Sequence, residues 1–291
     1  MPNMRIITTN AADTATITCT LVAGGATLAP TGNTLISYLQ NDYKSQFLSV
    51  SDVAAFNYNL SWTTAQTIGG VVLPCTNLSN AATIRVQLYS DNNFTTTVGG
   101  TTSAISACTN SPIANLTTSI PTGNLFQLGV LSKAAFWFPT NIANVQSMRI
   151  SITDTTNPAT TVDCARIVCG SYWQPTYNAS RDGLDLTVTD TSQNSRTDAG
   201  DLVSDRGFIN DELSLSLSLL TDTDRNNLLQ IIRTAGVNRN ILVSVFPTDW
   251  NASGPNSTTE QHYTVYGKRS NSGFNYIIQG YGSSNLQITG W

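Results

Sequence analysis

The chain predicts a mainly β protein, with a sandwich or barrel in its first part and an antiparallel sheet or split barrel carrying one helix in its second. Three observations lead there. Of 291 residues only 11% are charged, against roughly 25% in an ordinary globular chain, while Thr, Ser and Asn together supply 99. Thr suits a pleated surface, and Asn, Ser and Gly make turns. Apolar residues alternate with polar ones at period two in several short segments. Charge is also unevenly spread: residues 1–160 hold five acids and five bases, and residues 161–291 hold thirteen acids and nine bases. A break of that size near residue 160 marks a domain boundary.

In the first part, 15–22, 82–89 and 147–153 alternate, with Ile84, Val86 and Leu88 on one face and Arg85 and Gln87 on the other. Residues 68–73 and 125–131 are more continuously apolar, as central strands are. Gly99-Gly100, Asn92-Asn93 and 122–124 punctuate them as turns. No long helical pattern interrupts the series.

The second part opens with an Asp- and Arg-bearing stretch over 181–206, read as a solvated, salt-bridged loop region. Residues 213–219 then alternate Leu and Ser, one face wholly apolar and the other wholly hydroxyl. Thr221 and Asp224 form a capping-box arrangement, and Leu228, Ile231, Ile232 and Ala235 recur at helical spacing until Gly236, which predicts a helix over 221–235. Strands at 241–246, 263–266 and 274–278 follow.

Chemistry is sparse. The one histidine, His262, would have to serve any Ser-His-Asp triad, and no G-x-S-x-G elbow accompanies it. The chain has two glutamates, Glu212 and Glu260, and no EF-hand, Walker or dinucleotide motif. No catalytic residue, cofactor or metal is expected. Cys19, Cys75, Cys108, Cys164 and Cys169 include no C-x-x-C pair and read as small buried hydrophobes. A pI near 4.8 gives no footprint for nucleic acid, and no run of about 18 apolar residues predicts membrane insertion. The first residues lack the apolar core of a signal peptide, so synthesis in a cytosol without secretion is expected. Binding fits better than catalysis. Thr, Ser and Asn with scattered aromatics suit sugars, and Trp62, Trp137, Trp173 and Trp250, with Trp291, are the candidate contact residues.

Two segments resemble known groups. Residues 71–79 leading into Ala82–Asp91, with the closing strand Met148–Asp154, resemble the jelly-roll domains of the galactose-binding, discoidin-like group. Residues Ala165–Gly170, then Tyr172–Pro175 and Asn178, look like the join in tail-tip proteins of long-tailed bacteriophages. Gly183, Asp190–Ser192 and Arg196–Gly200 continue that likeness, and the strand, short helix and hairpin after them resemble the split barrel of tail-tube and distal-tail proteins. The resemblances imply a jelly roll over 1–165 and a split barrel over 166–291. They imply a structural component of a phage tail tip or baseplate, made in the host cytoplasm and located in the virion. Its partners would be other tail proteins, further copies in a ring-forming homo-oligomer, and a host surface glycan on the sandwich. The alternative is a carbohydrate-binding receptor-recognition protein.

Overall fold

A computed structural model describes residues 3–22, 24–51, 55–108, 132–157, 159, 161–179, 183–205, 207–252, 258–270, 274–278 and 281–291. The predicted strand at 125–131 and the turn at 122–124 lie outside them. In chain order the strands are β1 (Arg5–Ile7), β2 (Thr16–Leu21), β3 (Leu48–Val50), β4 (Phe56–Thr76), β5 (Thr83–Tyr89), β6 (Thr97–Val98), β7 (Ile105–Ser106), β8 (Ser132–Thr153), β9 (Val162–Cys164) and β10 (Val168–Gly170). They continue with β11 (Leu184–Asp190), β12 (Gln193–Arg196), β13 (Leu202–Asp205), β14 (Ile209–Thr221), β15 (Asn240–Ser244), β16 (Thr264–Arg269), β17 (Phe274–Ile278) and β18 (Tyr281–Gly290). Two α-helices, α1 (Asp222–Ala235) and α2 (Thr258–His262), are set among the later strands. The protein is mainly β, as the composition predicts.

The first sheet runs β3-β9-β4-β8-β5-β6, with β2 and β10 also on β4 and β7 on β5. Its frame is the long antiparallel pair β4 and β8, whose register shifts at several points between Ser61 and Thr76. Bulges of this kind bend a strand and increase its twist. The first half of β4 pairs with β2 and the end of β8, and its second half with β10 and the start of β8, so one sheet curls into a sandwich. Ile17, Phe56, Leu60, Ile84, Val86, Ile150 and Ile152 lie within its core.

The second sheet runs β1-β15-β16-β18-β14-β11, with β17 on β18. The chain's first strand therefore belongs with its last ones, pairing Arg5 with Ser244 and Ile7 with Leu242. Helix α1 rests on β14 and β18 over Leu213, Leu215, Leu217, Leu228 and Ile231. The Thr221 hydroxyl accepts from Asp224 N–H at 3.2 Å and donates to the Asp224 carboxylate at 2.8 Å, which is the expected cap. Gly236 ends the helix at φ 59°, with its N–H on the Ile232 carbonyl.

Two local expectations change. The Leu/Ser alternation does not hold through Leu219: β14 slips register on β18 between Leu217 and Leu220, leaving Leu219 51% exposed and Leu220 buried. One inserted residue reverses every side chain beyond it. The acidic stretch is also not simply a loop among the described residues. Much of it forms β11 and the hairpin β12–β13, and Arg196 donates to the Gly200 carbonyl at 2.9 Å. Arg181, Asp182 and Arg206 lie outside the described residues.

Candidate functional site

The tryptophans are structural members to differing degrees. Trp62 is 2% exposed in the sandwich core, and its indole N–H donates to the Ala11 carbonyl at 2.8 Å. Trp137 is fully buried between the two sheets, where its Nε1 donates to Glu260 Oε1 at 2.7 Å. Its ring occupies the space a side chain at position 70 would need, since a Cβ on Gly70 would fall 2.2 Å from Trp137 Cε3. Trp250 is half-buried, stacked on Phe136 at 6.2 Å, and its backbone N–H binds the Trp137 carbonyl. Trp173 is half-buried against the second core and exchanges two backbone hydrogen bonds with Ile6. Trp291 packs edge-on against Tyr266. Trp137 and Trp250 thus meet at the joint between sheets, and Trp62 lies apart in the sandwich.

That joint also gathers charge. Arg166 bridges Asp13 at 2.8 Å and Asp42 at 3.1 Å, and its Nε donates to the Tyr266 hydroxyl. Arg5, its side chain 2% exposed, pairs with Asp249 at 2.7 Å and lies over the Tyr172 ring at 4.2 Å. Lys133 reaches Asp211 at 2.8 Å. Burial pushes the Glu260 carboxyl up to about 7, against the opposing hydrogen bonds from Trp137 and Thr248. Burial likewise raises Asp13, partly offset by Arg166. Arg166, Arg5 and Lys133 are each neutralised by an acid, which is how a fold closes a polar seam. His262 is exposed at the end of α2. All five cysteines are buried and free, and burial pushes the Cys19, Cys75 and Cys108 thiols up to about 12. Thiols so protonated are poor nucleophiles.

The other side of the first sheet carries a second polar grid, in which Thr16 and Thr18 are exposed while Asn57, Asn59, Gln87, Ser147 and Tyr89 are buried. Across β2, β4, β8 and β5 the register aligns three rows on one face. Thr20, Asn57, Ser151 and Arg85 form one row, Thr18, Asn59, Arg149 and Gln87 the next, and Thr16, Ser61, Ser147 and Tyr89 the third. Intervening residues such as Cys19, Tyr58, Ile150 and Val86 point the other way into the core. Side chains alternate along a strand, so the face is polar because the core beneath is not.

The face is cross-braced. Ser151 Oγ donates to Asn57 Oδ1 at 2.6 Å, Arg149 Nε to Asn59 Oδ1 at 3.0 Å, and Asn59 Nδ2 to Thr20 Oγ1 at 2.9 Å. Gln87 donates to the Gly100 carbonyl at 2.8 Å and accepts from Thr102 N–H at 3.1 Å. At one corner the Arg149 guanidinium lies 4.9 Å from the Phe94 ring and 5.8 Å from Tyr89, which meet edge-to-face. Phe94 sits at φ 60°, in a turn held by Asp91, whose carboxylate accepts from the N–H groups of Asn93, Thr95 and Thr96. Desolvation opposes the Asp91 charge, but the amides of Thr96 and Thr95 outweigh it and hold the carboxyl well below the usual range. Sequence reading separates Arg85 and Gln87 from the core residues of β5. It cannot align them with Arg149 and Asn59, because register across four strands leaves no mark in any one segment.

No family model and no curated protein matches the chain. Among solved structures, CpGH89CBM32-5 from Clostridium perfringens, in complex with GalNAc-beta-1,3-galactose, is similar at 9% identity and a TM-score of 0.38, over 56% of this chain and 100% of that one. An f-lectin (fucolectin) from Morone saxatilis (striped bass) serum is similar at 7% identity and a TM-score of 0.34, over 96% of this chain and 92% of that one. At these identities and TM-scores neither structure transfers a ligand or a site residue to this chain.

Proposed function

We propose that the chain is a non-catalytic carbohydrate-recognition protein and that the outer face of β2, β4, β8 and β5 is its recognition surface. The observation that carries this reading is the braced polar grid with an aromatic corner. Sugars present hydroxyls that both donate and accept, and ring faces that stack on aromatics. Hydroxyls and guanidinium groups on a sheet, beside the half-buried Phe94, match both, with the buried Asn57, Asn59, Gln87 and Tyr89 bracing them from within. Because the side chains are already hydrogen-bonded to one another, little conformational freedom is lost on binding. The test is a glycan array probed with the full chain, followed by calorimetry on the best ligand. Saturable binding weakened about tenfold by Asn59→Ala is expected, because the buried Asn59 holds Arg149 and Thr20 in place. An array that stays silent removes the reading.

A second, compatible reading is favoured by the β12–β13 hairpin, which pairs only with itself and is exposed along its whole length. Leu202 is 62% exposed, and Phe208 just beyond the arm 65%. Apolar side chains on a projecting arm suit contact with another protein. In this reading the chain is a structural component of a long-tailed phage's tail tip or baseplate. The arm touches a neighbouring copy or another tail protein, and the sandwich projects outward. Light scattering on the full chain is expected to show an oligomer that Leu202→Ser with Phe208→Ser breaks. A wild-type chain that is monomeric at every concentration, and missing from purified virions, contradicts it.

A further inference from the structure

Arg85 and Arg149 occupy adjacent strands of the polar face in diagonal register, Arg85 opposite Ser151 and Arg149 opposite Gln87. Such diagonal neighbours are about 7–8 Å apart, within reach of long side chains. Among the described residues neither has a carboxylate at ion-pair distance. Nearby acids are committed elsewhere: Asp91 to backbone amides of its own turn, and Asp154 to Ser79 and Asn157. Asp52 lies outside the described residues.

The two guanidinium groups are unevenly satisfied. Arg149 spends Nε on Asn59, and its terminal nitrogens bind no described residue. Arg85 makes no hydrogen bond to a described residue, and its Nε is buried without a partner. A donor withdrawn from water and left unpaired destabilises the fold. Two neighbouring arginines with unspent guanidinium nitrogens and no acid partner among the described residues form an arrangement that an anion completes. Arg presents a planar fork that matches the two oxygens of a carboxylate or sulfate.

Building on the carbohydrate reading, we propose that the Arg85–Arg149 pair makes this face selective for saccharides bearing an oxyanion, either a carboxylate or a sulfate ester. The partly exposed hydroxyls of Thr20 and Ser151, braced by the buried Asn59 and Asn57, then contact sugar hydroxyls while the arginines hold the charge.

The experiment titrates the full chain with matched pairs: trigalacturonate against its methyl ester, and sialyllactose and sulfolactose against lactose. The carboxylate and sulfate arms show which oxyanion is taken. Expected is a preference of at least about tenfold for the charged member of one or more pairs, weakening as salt rises. Arg85→Gln and Arg149→Gln each abolish that preference, Arg→Lys at either position restores it in part, and Arg239→Gln, an exposed control, leaves it intact. Melting curves confirm that each variant folds. Equal affinity for charged and neutral members overturns the selectivity and leaves the carbohydrate reading standing. Acid preference that survives the double Gln variant overturns the site. Failure to bind any charged probe overturns the inference, while the array decides the broader reading separately.

Discussion

The joint between the sheets and the outer face of the first sheet are both rich in polar side chains, but they satisfy them in opposite ways. At the joint, each arginine or lysine meets an acid: Arg166 with Asp13 and Asp42, Arg5 with Asp249, Lys133 with Asp211. On the outer face, neutral amides and hydroxyls pair with one another, and Arg85 and Arg149 meet no carboxylate among the described residues. A seam that must stay closed neutralises its charges internally. A surface that awaits a partner carries cations with no acid opposite them. Removing charges from the two regions should therefore have unequal consequences for stability.

The largest effect is expected at Arg166. Its side chain is 2% exposed, and Asp13, Asp42 and Tyr266 all converge on it. Arg166→Ala leaves these groups without their cation, and breaking a buried pair from one side costs about 3–5 kcal/mol. Asp13 and Asp42 are nearly half exposed, and water tempers the loss toward the lower figure. Denaturant unfolding of wild type and variant measures it. A loss below about 1 kcal/mol would mean that the seam is held by its apolar contacts alone.

Glu260 should give the next effect, as a dependence on pH. Burial pushes its carboxyl up to about 7 in the fold, against an ordinary 4.5 when unfolded, and outweighs the hydrogen bond from Trp137, which favours the charge. The folded state therefore keeps a proton between pH 4.5 and 7 that the unfolded state releases. This contribution is full below pH 4.5 and is lost as pH rises to 7, a change of about 3 kcal/mol at most. Unfolding midpoints at pH 5 and pH 8 should differ in this sense for wild type and converge for Glu260→Gln. Identical slopes in the two proteins would place the origin elsewhere.

What the sequence reveals follows from the range of the forces involved. Period-two alternation exposes β2, β5 and the end of β8, and Thr221, Asp224 and Gly236 bound α1, because both signals are local. The bulge that exchanges Leu219 for Leu220 is set by pairing with β18, some sixty residues downstream, and the Leu/Ser pattern is blind to it. The placement of β1 beside β15 is equally invisible, since three residues carry no address. Trp137 reads from sequence as one candidate contact residue among several. The space that holds it is made by Gly70, whose missing side chain is legible only once β4 and β8 are paired. The polar face escaped notice for a related reason: Thr, Asn and Ser are so abundant that only register singles out those that share a surface.

The smallest stability effect, and the sharpest contrast with Arg166, is expected at the arginine pair itself. Arg85→Gln removes no ion pair and no hydrogen bond seen among the described residues. It also relieves an unpartnered buried donor. Its stability should therefore stay within about 0.5 kcal/mol of wild type, or rise. Arg149→Gln gives up the bond to Asn59 and the contact with Phe94, and should lose about 1 kcal/mol. Both are read from the denaturant curves used for Arg166. If Arg85→Gln destabilised the fold as strongly as Arg166→Ala, Arg85 would be a structural charge with a partner, and the outer face would be a second seam. A neutral result, together with lost preference for an acidic saccharide, separates the two regions by function: one arginine is kept to hold the sheets together, and the other two to hold something that is not part of the chain.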